Sequence, residues 1–109
     1  MKCIAVLDSM FAIRNRIKSL VAQADIRVIE ASKPEQLVDL LKVTNDIGLI
    51  ITEIEFAHED GLSILSKIMT IVGEIPVMIL TAENRRNFFL KGIQMGVMDY
   101  VLKPFNFSN

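Results

Sequence analysis

The chain has 109 residues, 51% of them hydrophobic, and a formal net charge of −1. That length makes one domain with its own core, and the balanced charge gives no basic field for nucleic acid. A lone cysteine, Cys3, excludes an internal disulfide framework and fits a reducing cytoplasm; no signal-type start or apolar run of ~20 residues predicts secretion or membrane spanning.

Cys3 to Leu7 is a continuous apolar run, as expected of a strand buried on both faces. Met10, Ile13, Ile17, Leu20, Val21 and Ala24 recur at helical spacing and predict a first helix. Ile26 to Ala31 predicts a second strand. Ser32-Lys33-Pro34-Glu35 reads as a capping box, with Ser32 as N-cap and Glu35 reaching back. Leu37, Val38, Leu40 and Leu41 give the helix behind it an apolar face. A third strand, Leu49 to Thr52, leads into a loop from Glu53 to Gly61. A third helix carries Leu62, Leu65, Ile68, Met69 and Val72 on one face and breaks at Gly73-Glu74. Ile75 to Leu80 predicts a fourth strand, and Glu83 to Met95 a fourth helix ended by a left-handed Gly96. Met98 to Leu102 predicts a fifth strand. This alternation predicts parallel βαβ units with right-handed crossovers, hence an α/β, doubly wound, five-stranded parallel sheet.

Ligands of such a sheet bind beyond the carboxyl ends of its strands. The polar residues expected there are Asp8 and Ser9, then Glu53, Thr81 and Lys103. Two carboxylates, an ammonium and a hydroxyl in one pocket are parts that phosphoryl transfer uses. Plainer readings stand beside that one. Asp8, Glu53 and Lys103 also read as a structural ion-pair cluster, Thr81 as a β-branched strand end, and Tyr100 as half-buried core. His58 is expected on a solvated loop, and Arg85-Arg86 on a solvated helix face. Phe88 and Phe89 are adjacent, so they cannot both face one core; one is expected exposed, marking a contact surface.

Taken in order and spacing, Asp8-Ser9, Glu53, Thr81 and Asp99-Tyr100-Val101-Leu102-Lys103-Pro104 resemble the receiver domain of two-component response regulators. The resemblance covers nearly the whole chain and implies a flavodoxin-like receiver fold. It places Glu53 at the phosphoacceptor position, an aspartate in the family. Asp8 and Ser9 fall on the paired acidic residues, of which the second usually ligands magnesium. Glu55 falls where a backbone carbonyl completes the metal site, so Asp8, Glu53 and Glu55 are the implied metal set. Thr81 matches the hydroxyl that swings toward the phosphoryl group, and Ala82 the small residue after it. Tyr100 matches the aromatic switch residue and Lys103 the lysine that pairs with the acceptor. The bond before Pro104 is implied to be cis. Protein partners are implied: a histidine kinase, an effector domain or another signalling protein.

Two departures qualify that chemistry. Ser9 removes an anionic metal ligand, so no cofactor is expected and magnesium only weakly. Glu53 extends its carboxylate by roughly 1.5 Å, in a kind of site where about 1 Å can cost ~100-fold in rate. The expectation is a pseudo-receiver, not an enzyme, with Glu53 paired to Lys103 and to Thr81. It is expected in one active-like arrangement with Tyr100 turned inward, binding partners through the fourth helix and fifth strand. Alternatives are a receiver still phosphorylated on a carboxylate, or an enzyme or cofactor domain. Flavin binding would want a glycine- or hydroxyl-rich loop after strand one, and Asp8-Ser9-Met10-Phe11-Ala12 has no glycine. An aspartate-nucleophile phosphatase would want a second aspartate where Met10 stands. A fifth helix after Pro104 is expected to be missing, with Ser108 near its cap and any effector domain beyond Asn109. One face of strands one and five, with Phe105, is then expected exposed and covered by self-association or a following segment.

Overall fold

The computed structural model of the chain describes residues 3–57 and 60–104. Five parallel strands, β1 (Cys3–Leu7), β2 (Arg27–Ala31), β3 (Ile47–Thr52), β4 (Val77–Thr81) and β5 (Asp99–Leu102), form one sheet in the order β2-β1-β3-β4-β5. The helices α1 (Phe11–Leu20), α2 (Pro34–Val43), α3 (Gly61–Ile71) and α4 (Arg86–Gln94) join them. This is the doubly wound architecture expected from the alternation, in the flavodoxin-like form that the resemblance implies. Strand order reverses between β1 and β3, which opens a crevice at their carboxyl ends.

Alternation along β1 divides the core. Cys3, Ala5 and Leu7 pack with Leu37 of α2 and Ile64, Leu65 and Ile68 of α3, whereas Ile4 and Val6 pack with Ile17 of α1. A central strand covered on both faces leaves no exposed position, so β1 is apolar throughout. Cys3 is buried in the first of these clusters. Among the described residues no helix is long and apolar enough to cross a membrane.

Several boundaries differ from the sequence reading. α1 stops at Leu20; the chain then turns through Asp25, whose φ is 51°, so Ala24 lies outside the helix. At α2 the capping box is displaced by one residue. Pro34 takes the first helical position, which makes Lys33 the N-cap and Gln36 the residue that reaches back. The Gln36 side-chain Oε1 accepts from the backbone N–H groups of Ser32 and Lys33 and from the Ser32 hydroxyl. α3 opens on Asp60, whose carboxylate accepts the Leu62 N–H. α4 begins at Arg86, three residues later than its apolar spacing predicts.

The open sheet face includes β5, as expected, but extends over β3 and β4 rather than over an exposed β1. β1 is closed by α1, and the opening runs over Leu49, Met78 and Val101 beside Leu20 and Val21, a groove of about 380 Å³. Phe105 and Ser108 lie outside the described residues, as does His58.

Gly61 sits where the β3–α3 loop folds back, and a Cβ there would stand inside contact distance of the Ile54 carbonyl. Ile54 is itself buried. Gly61→Ala should therefore lower the unfolding free energy by about 2 kcal/mol, measured by urea denaturation. A variant as stable as the parent would mean the loop shifts freely.

Candidate functional site

Each side chain of the site is delivered by a strand end whose backbone is fixed first. The Asp8 N–H donates to the Ala31 carbonyl at 3.0 Å, and the Glu53 N–H to Leu7 at 2.8 Å, so both residues continue the ladder by one step. Thr81 closes β4, and the Lys103 N–H donates to its carbonyl at 2.8 Å. The Lys103–Pro104 bond is cis, as implied. Asp8, Glu53 and Thr81 are buried; Ser9 and Ala82 are exposed.

The Lys103 ammonium lies between two carboxylates, 2.8 Å from Asp8 Oδ2 and 2.7 Å from Glu53 Oε1. The remaining oxygens are also engaged. Asp8 Oδ1 accepts the Met10 N–H at 2.9 Å, and Glu53 Oε2 accepts the N–H groups of Ile54 and Glu55 at 2.7 and 2.9 Å. Glu53 thus turns its longer side chain back onto the backbone that follows it. Buried charges survive only when paired and hydrogen-bonded, and every carboxylate oxygen here has a donor. Burial opposes the Lys103 charge, but the hydrogen bonds and charges of Asp8 and Glu53 outweigh it and hold its pKa above the ordinary value.

Thr81 does not join this group. Its hydroxyl donates to Glu55 Oε1 at 3.0 Å, so the expected Glu53–Thr81 contact is replaced by one from Glu55. The reason is that Glu53 already has its donors, whereas Glu55 lies across the crevice with a free acceptor. The Glu55 side chain is thus engaged by Thr81. Among the described residues no three His, Cys, Asp or Glu side chains form a metal-binding group.

Tyr100 is half-buried, and its hydroxyl donates to the Glu83 carbonyl at 2.7 Å. Burial first, then the carboxylates of Glu83, Glu53 and Glu55, push its pKa from 10.0 up to about 12. Phe89 packs edge-on against the ring, with centroids 5.5 Å apart, and is exposed, whereas Phe88 is half-buried against the core. The adjacent aromatics thus divide as their sequence position requires.

Two groups of contacts escaped the sequence reading. Glu83 chelates Arg85 through both oxygens, at 2.6 Å at the shortest, which keeps residues 83–85 out of α4. A signal existed: residues two apart do not face each other on a helix, so an i,i+2 ion pair argues against helix there. Arg14 donates to the Asp8 carbonyl at 2.7 Å and to Glu30 at 3.1 Å, bracing the β1–α1 loop. Nothing in local sequence marks that long-range pair.

A doubly wound sheet with a lysine-bridged acidic pair at its switch point defines a receiver-type signalling domain. The response regulator receiver domain family matches residues 4–109, and the chain belongs to it. Response regulator GtcR of Aneurinibacillus migulanus is 30% identical over 105 residues, 96% of this chain and 43% of that protein. Two-component response regulator ARR10 of Arabidopsis thaliana is 26% identical over 105 residues, 95% of this chain and 19% of that protein. The chain thus spans less than half of either relative. Among solved structures, a response regulator receiver protein from Pseudomonas putida has a TM-score of 0.87 at 21% identity, covering 96% of this chain and 88% of that one. A two-component response regulator from Clostridium difficile has a TM-score of 0.86 at 24% identity, covering 97% and 86%. The chain is a receiver module of two-component signalling.

Lys103 and Tyr100 both hold their protons more tightly in the folded state. Such stabilisation is complete below the unfolded pKa and is lost as pH rises through the folded one. Unfolding free energy should accordingly fall between 10.0 and about 12 on the pH scale. Tyr100→Phe should flatten part of that decline in urea titrations. An equally steep alkaline limb in the variant would contradict it.

Proposed function

We propose that this receiver signals without phosphoryl transfer and without magnesium, by protein–protein interaction. The observation that carries the reading is that Glu53 fills its own pocket: one oxygen on Lys103, the other on the Ile54 and Glu55 N–H groups. A nucleophile needs an oxygen free to attack, and both of these are held. A divalent cation needs several hard oxygens. The four carboxylate oxygens of Asp8 and Glu53 face N–H donors, and Ser9 offers only a neutral hydroxyl, so the donor set does not fit one. The module is read as non-enzymatic.

The partner is a protein: a histidine kinase, an effector domain or another signalling protein, met in the cytoplasm. Net charge and pattern give this domain no nucleic-acid surface. Phe89, Leu90 and Ile93 of α4, with Met98 and Leu102 around β5, are exposed and form the contact face. The groove over Leu49, Met78 and Val101 lies on the opposite face of the sheet, beside α1, and is read as the surface that a second copy of the chain covers.

Acetyl phosphate with magnesium should leave the intact mass unchanged. A phosphoryl gain mapped to Glu53 would overturn the reading. Ser9→Asp combined with Glu53→Asp should regain magnesium binding and phosphoryl uptake, because it returns a second hard anion and frees space for the acceptor. An inert double variant would mean that the pocket differs by more than these two residues.

Sedimentation at micromolar concentration should show a dimer or larger species, and Val101→Glu should shift it toward monomer. A parent protein that sediments as a monomer would remove self-association.

A further inference from the structure

A second carboxylate, outside the lysine-bridged pair, controls the β4–α4 loop. Glu55 is exposed, yet its Oε1 reaches across the crevice and accepts the proton of the fully buried Thr81 hydroxyl at 3.0 Å. With its hydrogen directed that way, Thr81 Oγ1 accepts the Glu83 N–H at 3.2 Å. The Glu83 carbonyl accepts the Tyr100 hydroxyl at 2.7 Å, and the Tyr100 ring supports Phe89 on the surface. One chain of contacts therefore runs from a carboxylate, through a hydroxyl and a loop peptide, to a phenol and an exposed aromatic.

A hydroxyl has one proton to give. Here Thr81 gives it to Glu55, while Glu53 is fully supplied by Lys103 and two backbone N–H groups. A carboxylate acceptor makes the Thr81 bond charge-assisted and fixes the rotor, and a fixed rotor leaves its lone pairs aimed at Glu83.

We infer that Glu55 is the positioning residue of this receiver's switch: its carboxylate fixes Thr81, and through Thr81 the Glu83 peptide and Tyr100, and so sets how Phe89 is presented on the α4–β5 face. The inference rests on the reading that the pocket works without phosphoryl transfer, and it names the internal group that takes the phosphoryl partner's place at Thr81. The Glu83–Arg85 chelate is the competing support for the same loop, and the two supports act on different atoms.

Tyr100 is the only tyrosine and the chain has no tryptophan, so its intrinsic fluorescence reports this one ring. Quenching by acrylamide, a neutral probe, measures how open the ring is without responding to nearby charge. Losing the Glu55–Thr81 bond should shift the closed-to-open ratio of Tyr100 by about 5-fold. Glu55→Ala and Thr81→Val should each raise quenching. Their combination should raise it no further, because both cut the same link. Glu55→Gln keeps an acceptor oxygen but loses the charge assistance, so it should fall between the parent and the alanine variant, whereas a merely electrostatic role for Glu55 would make it behave as the alanine variant does. Arg85→Ala cuts the other support of the same loop, so its effect on quenching should add to that of Glu55→Ala rather than be masked by it. Unaltered quenching in Glu55→Ala, or additive effects when Glu55→Ala and Thr81→Val are combined, would overturn the inference. Glu55 is exposed, so its variants test the link without disturbing the core. Phosphoryl uptake by the parent protein would overturn the functional reading alone, and the quenching series would still decide whether Glu55 holds Thr81.

Discussion

The Lys103 ammonium between Asp8 and Glu53 is the interaction on which the carboxyl edge of the sheet depends. Parallel pairing aligns Leu7 with Thr52, so the next residue on each strand carries its carboxylate to the same place. Two buried anions at neighbouring strand ends repel strongly in a low-dielectric setting. The cation that reconciles them comes from beyond β5, across the width of β4. Pocket and sheet edge are therefore one problem: removing Lys103 would strand two buried charges, at a cost of roughly 3–5 kcal/mol.

The extra methylene of Glu53 changes what this trio can do. Its second oxygen curls onto the N–H groups of Ile54 and Glu55, an arrangement like an anion nest at the start of a loop. The pocket is closed electrostatically by its own side chain. On the proposed reading without phosphoryl transfer, the part of the pocket is to hold a shape, and the β4–α4 loop meets that shape where Thr81 accepts the Glu83 N–H.

The sheet, its helices and the placement of Asp8, Glu53, Thr81 and Lys103 were legible because each depends on local pattern. Apolar runs mark buried strands, and polar residues at their carboxyl ends mark the crevice. What pattern missed depends on partners distant in sequence or on competition between rules. Proline at the first helical position overrode serine as the cap of α2. The Glu83–Arg85 pair overrode helical spacing at the start of α4. Thr81 turned to Glu55 rather than Glu53 because hydrogen-bond demand was settled elsewhere in the pocket. Apolar spacing cannot register any of these choices, which are made by side-chain polar groups. The extent of the open groove escaped for a related reason: strand order, which sets β3 and β4 between β1 and β5 and leaves β1 covered by α1, is a property of the whole sheet.

The interactions along the route from pocket to surface differ in strength, and the order matters. Innermost are buried ion pairs, whose loss leaves charges without partners. Next is a run of single hydrogen bonds from Glu55 to Tyr100, each worth roughly 1 kcal/mol net. Outermost is an aromatic edge contact between Tyr100 and Phe89, worth about 0.5–1.5 kcal/mol. A perturbation large enough to rearrange the middle of this route is too small to disrupt the inner trio. The arrangement of the loop and of the α4–β5 face is thus set by these contacts separately from the stability of the fold. Within them the Thr81 hydroxyl, donating its one proton to Glu55 and accepting the Glu83 N–H, is where the hold of the carboxylate passes to the loop.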